Sequence, residues 1–318
     1  MPTSTMLPPS GSDTSKPPST SIPRSPSTSG DWSRTPTRPM RCCRAATTWP
    51  PSSRRSSVNR IDRRAGPIRP DATWAGMIRA MDHQLTNDSY LAHLAADGRA
   101  LIAAVEAAPD ARVAACPEWT NTGLAEHVAT VWNFAIAQVE SGDPSGPQRP
   151  SSDPDESMSD LLDRAVAVLS DADPDAPAWN WTDDQRSGWW CRRMAHEASV
   201  HRWDAQEAAQ TIEPIDADLA TDGITELIEV GLRFRPRGGW DLEYPNGSLH
   251  LHRTDGEGEW LLTAVDGELV ATFEHAKGDA AARGTASDLL LYLWGRGRAT
   301  LECFGDEELL DAWASVAP

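Results

Sequence analysis

The sequence predicts a four-helix antiparallel bundle followed by a small α+β domain, with a polar leader in front. Three features of the 318 residues carry that expectation. From Met81 to about residue 235, apolar residues recur at helical spacing. From Ser248 onward they fall into short alternating runs set off by turns. Before Met81 neither pattern is sustained.

The leader, residues 1–80, holds 13 basic and 4 acidic residues and is rich in Ser, Pro and Thr, whereas residues 81–318 hold 16 basic and 43 acidic ones. A chain so poor in apolar periodicity cannot bury enough surface to offset its ordering entropy, so the leader is expected to be disordered. It also lacks the continuous apolar stretch of a secretory signal. Met81 or Met77 is expected to be the real start, with the leader not naturally made.

Within the first expected domain, residues 81–235, Leu91, Leu94, Leu101, Ile102 and Val105 mark a first helix, with Thr86, Asn87 and Asp88 as available caps. After the loop Cys116-Pro-Glu-Trp119, Thr120 or Thr122 caps a second helix carrying Leu124, His127, Val128, Val131 and Ala135. A third runs from Asp155 to Ser170, with Leu161, Leu162, Ala165, Val166 and Leu169 inward. The Trp179-Asn-Trp181 loop leads to a fourth, about Asp184 to Gln210. Modest connections between four such helices suit an antiparallel bundle. A fifth helix, about Asp216 to Phe234, bridges to the second domain.

In that domain, residues 236–318, strands are expected over Ser248–His252, Glu259–Thr263 and Glu268–Phe273, separated by Asp255-Gly and Asp266-Gly turns. Ala286 to Gly295 reads as a helix, Ala299 to Cys303 as a strand and Asp306 to Val316 as a closing helix. Strands followed by helices give an α+β domain.

Composition narrows the function classes. The acidic balance of residues 81–318 argues against a nucleic-acid surface, and nothing there approaches a membrane-spanning run of about 20 apolar residues. A soluble, cytoplasmic protein is expected. Cys116, Cys191 and Cys303 are isolated and odd in number, which suits reduced thiols.

The most chemically suggestive stretch is Met194-Ala-His-Glu-Ala-Ser-Val-His-Arg-Trp-Asp204. Glu197 and His201 are four apart, so they share a helix face one turn apart and can hold one divalent metal together. The run imitates the zinc-protease motif His-Glu-x-x-His with one residue too many. His196 and His201 are five apart, roughly 140° around a helix, and do not share a face. The Glu197–His201 spacing is also that of a solvated surface pair. Asp204 can orient His201 through the other ring nitrogen, or pair with Arg202 or Arg193. His127, among Leu124, Val128 and Val131, faces the bundle interior. It is a third ligand from a neighbouring helix or a core histidine with one satisfied hydrogen bond.

Three segments together resemble the mycothiol-dependent maleylpyruvate isomerase family of the DinB-like superfamily. They are Cys116-Pro-Glu-Trp-Thr-Asn-Thr-Gly-Leu-Ala-Glu-His127, Arg193-Met-Ala-His-Glu-Ala-Ser-Val-His-Arg-Trp-Asp-Ala205 and Gly284-Thr-Ala-Ser-Asp-Leu-Leu-Leu-Tyr-Leu-Trp-Gly-Arg296. The likeness covers about residues 85–318 and leaves the leader without a counterpart. It implies a DinB-like bundle with a smaller α+β domain, and a metal, usually zinc, on His127, Glu197 and His201. Mycothiol is the implied thiol cofactor, and a small electrophilic or dicarboxylate molecule the implied substrate. The implied chemistry is addition of a metal-activated thiolate to an activated double bond, followed by rotation and loss of the thiol. A functional arginine falls on Arg296, with Arg298 as the alternative register. It would grip a carboxylate with its planar fork, or else be a turn arginine paired with Asp288 or Glu302.

Two rival functions stay open: a mycothiol S-transferase acting on electrophiles, and a non-catalytic metal- or small-ligand-binding protein. His250 and His252, alternating on one strand, are expected to line the solvent face of a sheet. Cys116 is expected to be a buried structural thiol.

Overall fold

A computed structural model describes residues 84–151, 153, 155–233 and 243–316. The expected leader and the expected boundary between residues 235 and 236 lie outside them.

The first helix, α1 (Asn87–Ala107), starts where the Thr86 hydroxyl accepts a hydrogen bond from the Ser89 amide at 3.2 Å. This cap satisfies one of the amides a helix start leaves unpaired. Thr120 caps α2 (Asn121–Ser141) in the same way, and the helix stops at Gly142, whose φ of +62° is left-handed. Ser157 caps α3 (Met158–Asp171). No side chain caps α4 (Ser187–Ala209), which ends at a left-handed Gln210.

Helix α1 packs along α4, and α2 packs on both α3 and α4. Leu94, Leu101, Leu124, Val128, Trp132, Leu162, Trp190 and Met194 fill the space between them. Burying each such side chain stabilises the fold by about 1.5–3 kcal/mol. Gly98 lets α1 and α3 approach closely, since a Cβ there would lie 2.7 Å from Leu162.

The fifth helix, α5 (Ala217–Glu226), runs into a π-helical turn, Leu227–Leu232. One uninterrupted helix through Phe234 was expected. The Arg233 amide instead bonds the Ile228 carbonyl, five residues back, at 3.3 Å. Phe234 lies outside the described residues.

Five strands form one sheet in the order β3-β2-β1-β4-β5. They are β1 (Leu249–Arg253), β2 (Glu259–Val265), β3 (Glu268–Thr272), β4 (Ala280–Gly284) and β5 (Glu302–Gly305). Asp266 and Gly267 have φ of 53° and 82°. Two positive values in a two-residue loop are what the twist of a tight β2–β3 hairpin favours. Strand β4 was not expected from the sequence. It pairs parallel to β1, with Leu249 opposite Ala280, and antiparallel to β5. Helices α6 (Ala286–Leu293) and α7 (Glu307–Ala314) complete this part. Leu249, Leu251, Trp260, Leu262, Ala280 and Ala282 are buried on one face of the sheet.

Helix α5 packs on α6, which seats the sheet part against the bundle part. Among the described residues, no helix is long and apolar enough to cross a membrane. Cys191 and Cys303 are free thiols, and Cys116 is buried, as expected.

Candidate metal centre

Glu197 and His201 lie one turn apart on one face of α4. His201 Nε2 lies 3.3 Å from Glu197 Oε1. The neighbouring helix α2 brings His127 Nε2 to 3.2 Å from the same oxygen. The three ligand atoms lie within 4.8 Å of one another. All three residues are largely shielded; His127 and His201 are 7% and 8% exposed. The Trp119 ring, from the loop before α2, lies 4.9 Å from the His127 ring.

Each candidate ligand on α4 is held from behind. His201 Nδ1 faces Asp204 Oδ2 at 2.9 Å. A proton on Nδ1 leaves the Nε2 lone pair aimed at the centre, the tautomer a metal ligand needs. Asp204 is in turn clamped by Arg296, whose Nε and Nη2 donate to its two oxygens at 3.0 and 2.7 Å. On the other side, Arg193 Nη2 donates to Glu197 Oε2 at 2.7 Å, and its Nη1 donates to Glu226 on α5 at 2.7 Å.

The electrostatics follow from these partners. Burial pulls the Glu197 carboxyl up, but His201, His127 and Arg193 outweigh it and leave the group well below the usual carboxylate range. Burial likewise disfavours the Asp204 carboxylate, yet Arg296 and His201 bring it down to about 2. Burial works against a charged His201, while Glu197 and Asp204 raise its pKa to about 9. Two imidazole nitrogens and one carboxylate oxygen converge, and this donor set suits a zinc-like ion. Second partners back Glu197 and His201, whereas His127 Nδ1 has no hydrogen-bond partner among the described residues. A tetrahedral ion held by these three residues would keep one position for an exogenous molecule.

Of the sequence-predicted residues, His127, Glu197 and His201 come together directly. Arg296 joins them at one remove, through Asp204. Its side chain is 3% exposed, and its Nη1 also donates to the Trp294 carbonyl at 2.6 Å. Asp204 sits behind His201, not on Arg202 or Arg193. Arg298 is elsewhere, paired with Asp311 at 2.9 Å. His196 points away from the centre, as its angular offset requires, and meets Asp222 at 2.8 Å. Sequence reasoning missed the supporting role of Arg193, although its place four residues before Glu197 on the same helix face was the available signal. Nothing local marks Glu226, which arrives from α5.

Two family models match in series. The one for the mycothiol maleylpyruvate isomerase N-terminal domain covers residues 91–206, and the one for the C-terminal domain covers residues 218–312. The chain belongs to the mycothiol maleylpyruvate isomerase family. Two solved structures are similar to this family member: a mycothiol-dependent maleylpyruvate isomerase, at 13% identity and a TM-score of 0.46, and its His-to-Ala mutant, at 12% and 0.45. Each match covers 70% of this chain and 94% of the solved one. No curated protein matches it. In this member of the isomerase family, His127, Glu197, His201 and Asp204 fall in the first matched stretch and Arg296 in the second. Their bidentate pair therefore joins the two.

Proposed function

We propose that the chain is a mycothiol-dependent enzyme that carries out cis–trans isomerisation of a small, electrophilic substrate with an activated double bond, of the maleylpyruvate type. The observation that carries this reading is the convergence of His127 Nε2 and His201 Nε2 on one Glu197 oxygen, at 3.2 and 3.3 Å. Family membership supports the thiol and the reaction class. A divalent, zinc-like ion held by these three residues would lower the pKa of a bound thiol and supply it as thiolate near neutral pH.

The chain's own residues have separable tasks. His127 and His201 present nitrogen lone pairs from two helices, so the spacing between α2 and α4 sets the site's width. Asp204 fixes the His201 ring and holds the proton on Nδ1. Arg193 occupies the outer oxygen of Glu197 and leaves the inner one facing the histidines. Arg296 is a positioning residue: its fork is engaged by Asp204, so it acts on His201 through that carboxylate. Low exposure at the centre limits water, which strengthens every electrostatic interaction there.

The test is a rate comparison on purified protein with maleylpyruvate, with and without added mycothiol. Turnover that requires both the thiol and a stoichiometric divalent ion, and that vanishes in His201→Ala, is expected. Accumulation of a stable thiol–substrate conjugate in place of the trans isomer would replace isomerase by S-transferase. Undiminished turnover without thiol would reject thiol dependence altogether.

A further inference from the structure

The sheet brings together a second group of side chains of metal-ligating type, from three separate pieces of chain. His250 on β1, Glu259 on β2 and His275 beyond β3 bring ligand atoms within 4.8 Å of one another. His250 Nε2 lies 3.1 Å and His275 Nδ1 2.7 Å from Glu259 Oε2. His252 Nδ1 lies 3.0 Å from the other carboxylate oxygen, Oε1. His250 and His252 are two apart on one strand and so share a face. The antiparallel register sets His252 directly opposite Glu259.

The expectation that His250 and His252 both line the solvent face is corrected here: His250 is 7% exposed. The three imidazoles also crowd one another. The His250 ring lies 5.5 Å from that of His275 and 6.3 Å from that of His252, centre to centre. Burial raises the Glu259 carboxyl, but bonds from His275 and His250 outweigh it and keep the group below its usual value. An anionic oxygen ringed by imidazole nitrogens supplies ligands of the kind that borderline transition ions prefer, and lacks the oxygen cage of calcium or magnesium. Nitrogen–oxygen separations near 3 Å are those of adjacent ligands on an ion with bonds of about 2.0–2.1 Å.

We propose that His250, Glu259 and His275 form a second binding site for a zinc-class divalent ion, with His252 holding the outer oxygen of Glu259. The ion would tie the segment after β3 to the middle of the sheet. This site shares no residue with the centre on α2 and α4, so it stands whether or not that centre binds metal.

The test uses the full chain and Zn²⁺ in competition with a chromophoric chelator. In a variant carrying Glu197→Gln and His201→Ala, one equivalent of zinc should remain. Adding His275→Ala or His250→Ala should remove it, or weaken it at least about 10-fold, the usual cost of disturbing a metal site. His275 is exposed, with 80% of its side chain accessible, so its replacement should leave the near-ultraviolet signal of the buried tryptophans unchanged. Co²⁺ in the double variant should give visible absorption bands that His275→Ala abolishes. If the unmodified chain binds a single zinc that His275→Ala removes and His201→Ala does not, the second site stands and the first fails. No zinc in the double variant at micromolar free ion, or zinc retained unchanged by both His250→Ala and His275→Ala, overturns the proposal.

Discussion

At the scale of single residues, the centre is layered: the proposed ligands, the groups that aim them, and the groups that hold those in turn. His201→Ala removes a proposed ligand outright. It should cut metal content well below that of the parent while the helical circular dichroism is kept, because His201 lines the site and is not an apolar core residue. Full metal retention in both His201→Ala and Glu197→Ala would sink the ligand assignment. Arg296→Lys keeps the charge but loses the fork that grips both Asp204 oxygens at 3.0 and 2.7 Å. If Arg296 acts through Asp204, metal affinity should fall about 10–100-fold, together with turnover. Chelator competition measures this, and a turnover loss at unchanged affinity would return Arg296 to the role of substrate clamp. The shared face of Glu197 and His201 was legible because helical periodicity turns a spacing of four into one turn, whereas the addition of His127 to them as a ligand rested on the family resemblance. The engagement of Arg296 by Asp204 was not, since 92 residues separate them and no local pattern links a turn arginine to a particular distant carboxylate.

Among the elements, α5 links the bundle part to the sheet part through a buried polar junction. Asp222 accepts from the Tyr90 hydroxyl of α1 at 2.7 Å, faces His196 of α4 at 2.8 Å and receives Arg192 on both oxygens at 2.9 Å. Burial disfavours the Asp222 carboxylate, but His196 and Arg192 outweigh it and hold the group far below its ordinary value. A depressed carboxylate stabilises the fold in full above its unfolded pKa of about 3.9, and that contribution drains away as pH falls below it. Asp222→Asn should therefore cost about 3–5 kcal/mol at pH 7, the range for a buried pair that loses one partner. The gap between parent and variant should narrow as pH drops below about 4. Urea denaturation at pH 7 and pH 3.5 checks both, and a gap independent of pH would show that packing, not charge, is lost. The helices and the first three strands were readable from their caps, periods and turns. Strand β4 was hidden because Ala280-Ala-Ala-Arg-Gly284 has weak strand propensity. Its place between β1 and β5 comes from non-local pairing, which no window of sequence displays.

For the whole molecule, any ion that binds only the folded chain must raise its stability by mass action. At a free concentration of about 100 times Kd, the gain is about 2.7 kcal/mol per site. Stripping the protein with a chelator should lower its melting temperature, and zinc should restore it. In the Glu197→Gln, His201→Ala variant, a residual zinc-dependent rise is expected from the sheet site. The absence of any shift in the parent chain would show that neither site binds at the concentrations used.

The ion pairs around the first centre also set a sum of charges. Imidazoles apart, three carboxylates, those of Glu197, Asp204 and Glu226, pair with two guanidinium groups, those of Arg193 and Arg296, an excess of one negative charge among these five groups. A divalent ion held there, as proposed, would turn that excess into a deficit of one. Away from solvent an uncompensated charge is costly, so such an ion would favour a further ligand carrying a single negative charge over neutral water. A thiolate has that valence; a thiol does not. The charge count would thus reward deprotonation of the incoming ligand, through residues that never touch it.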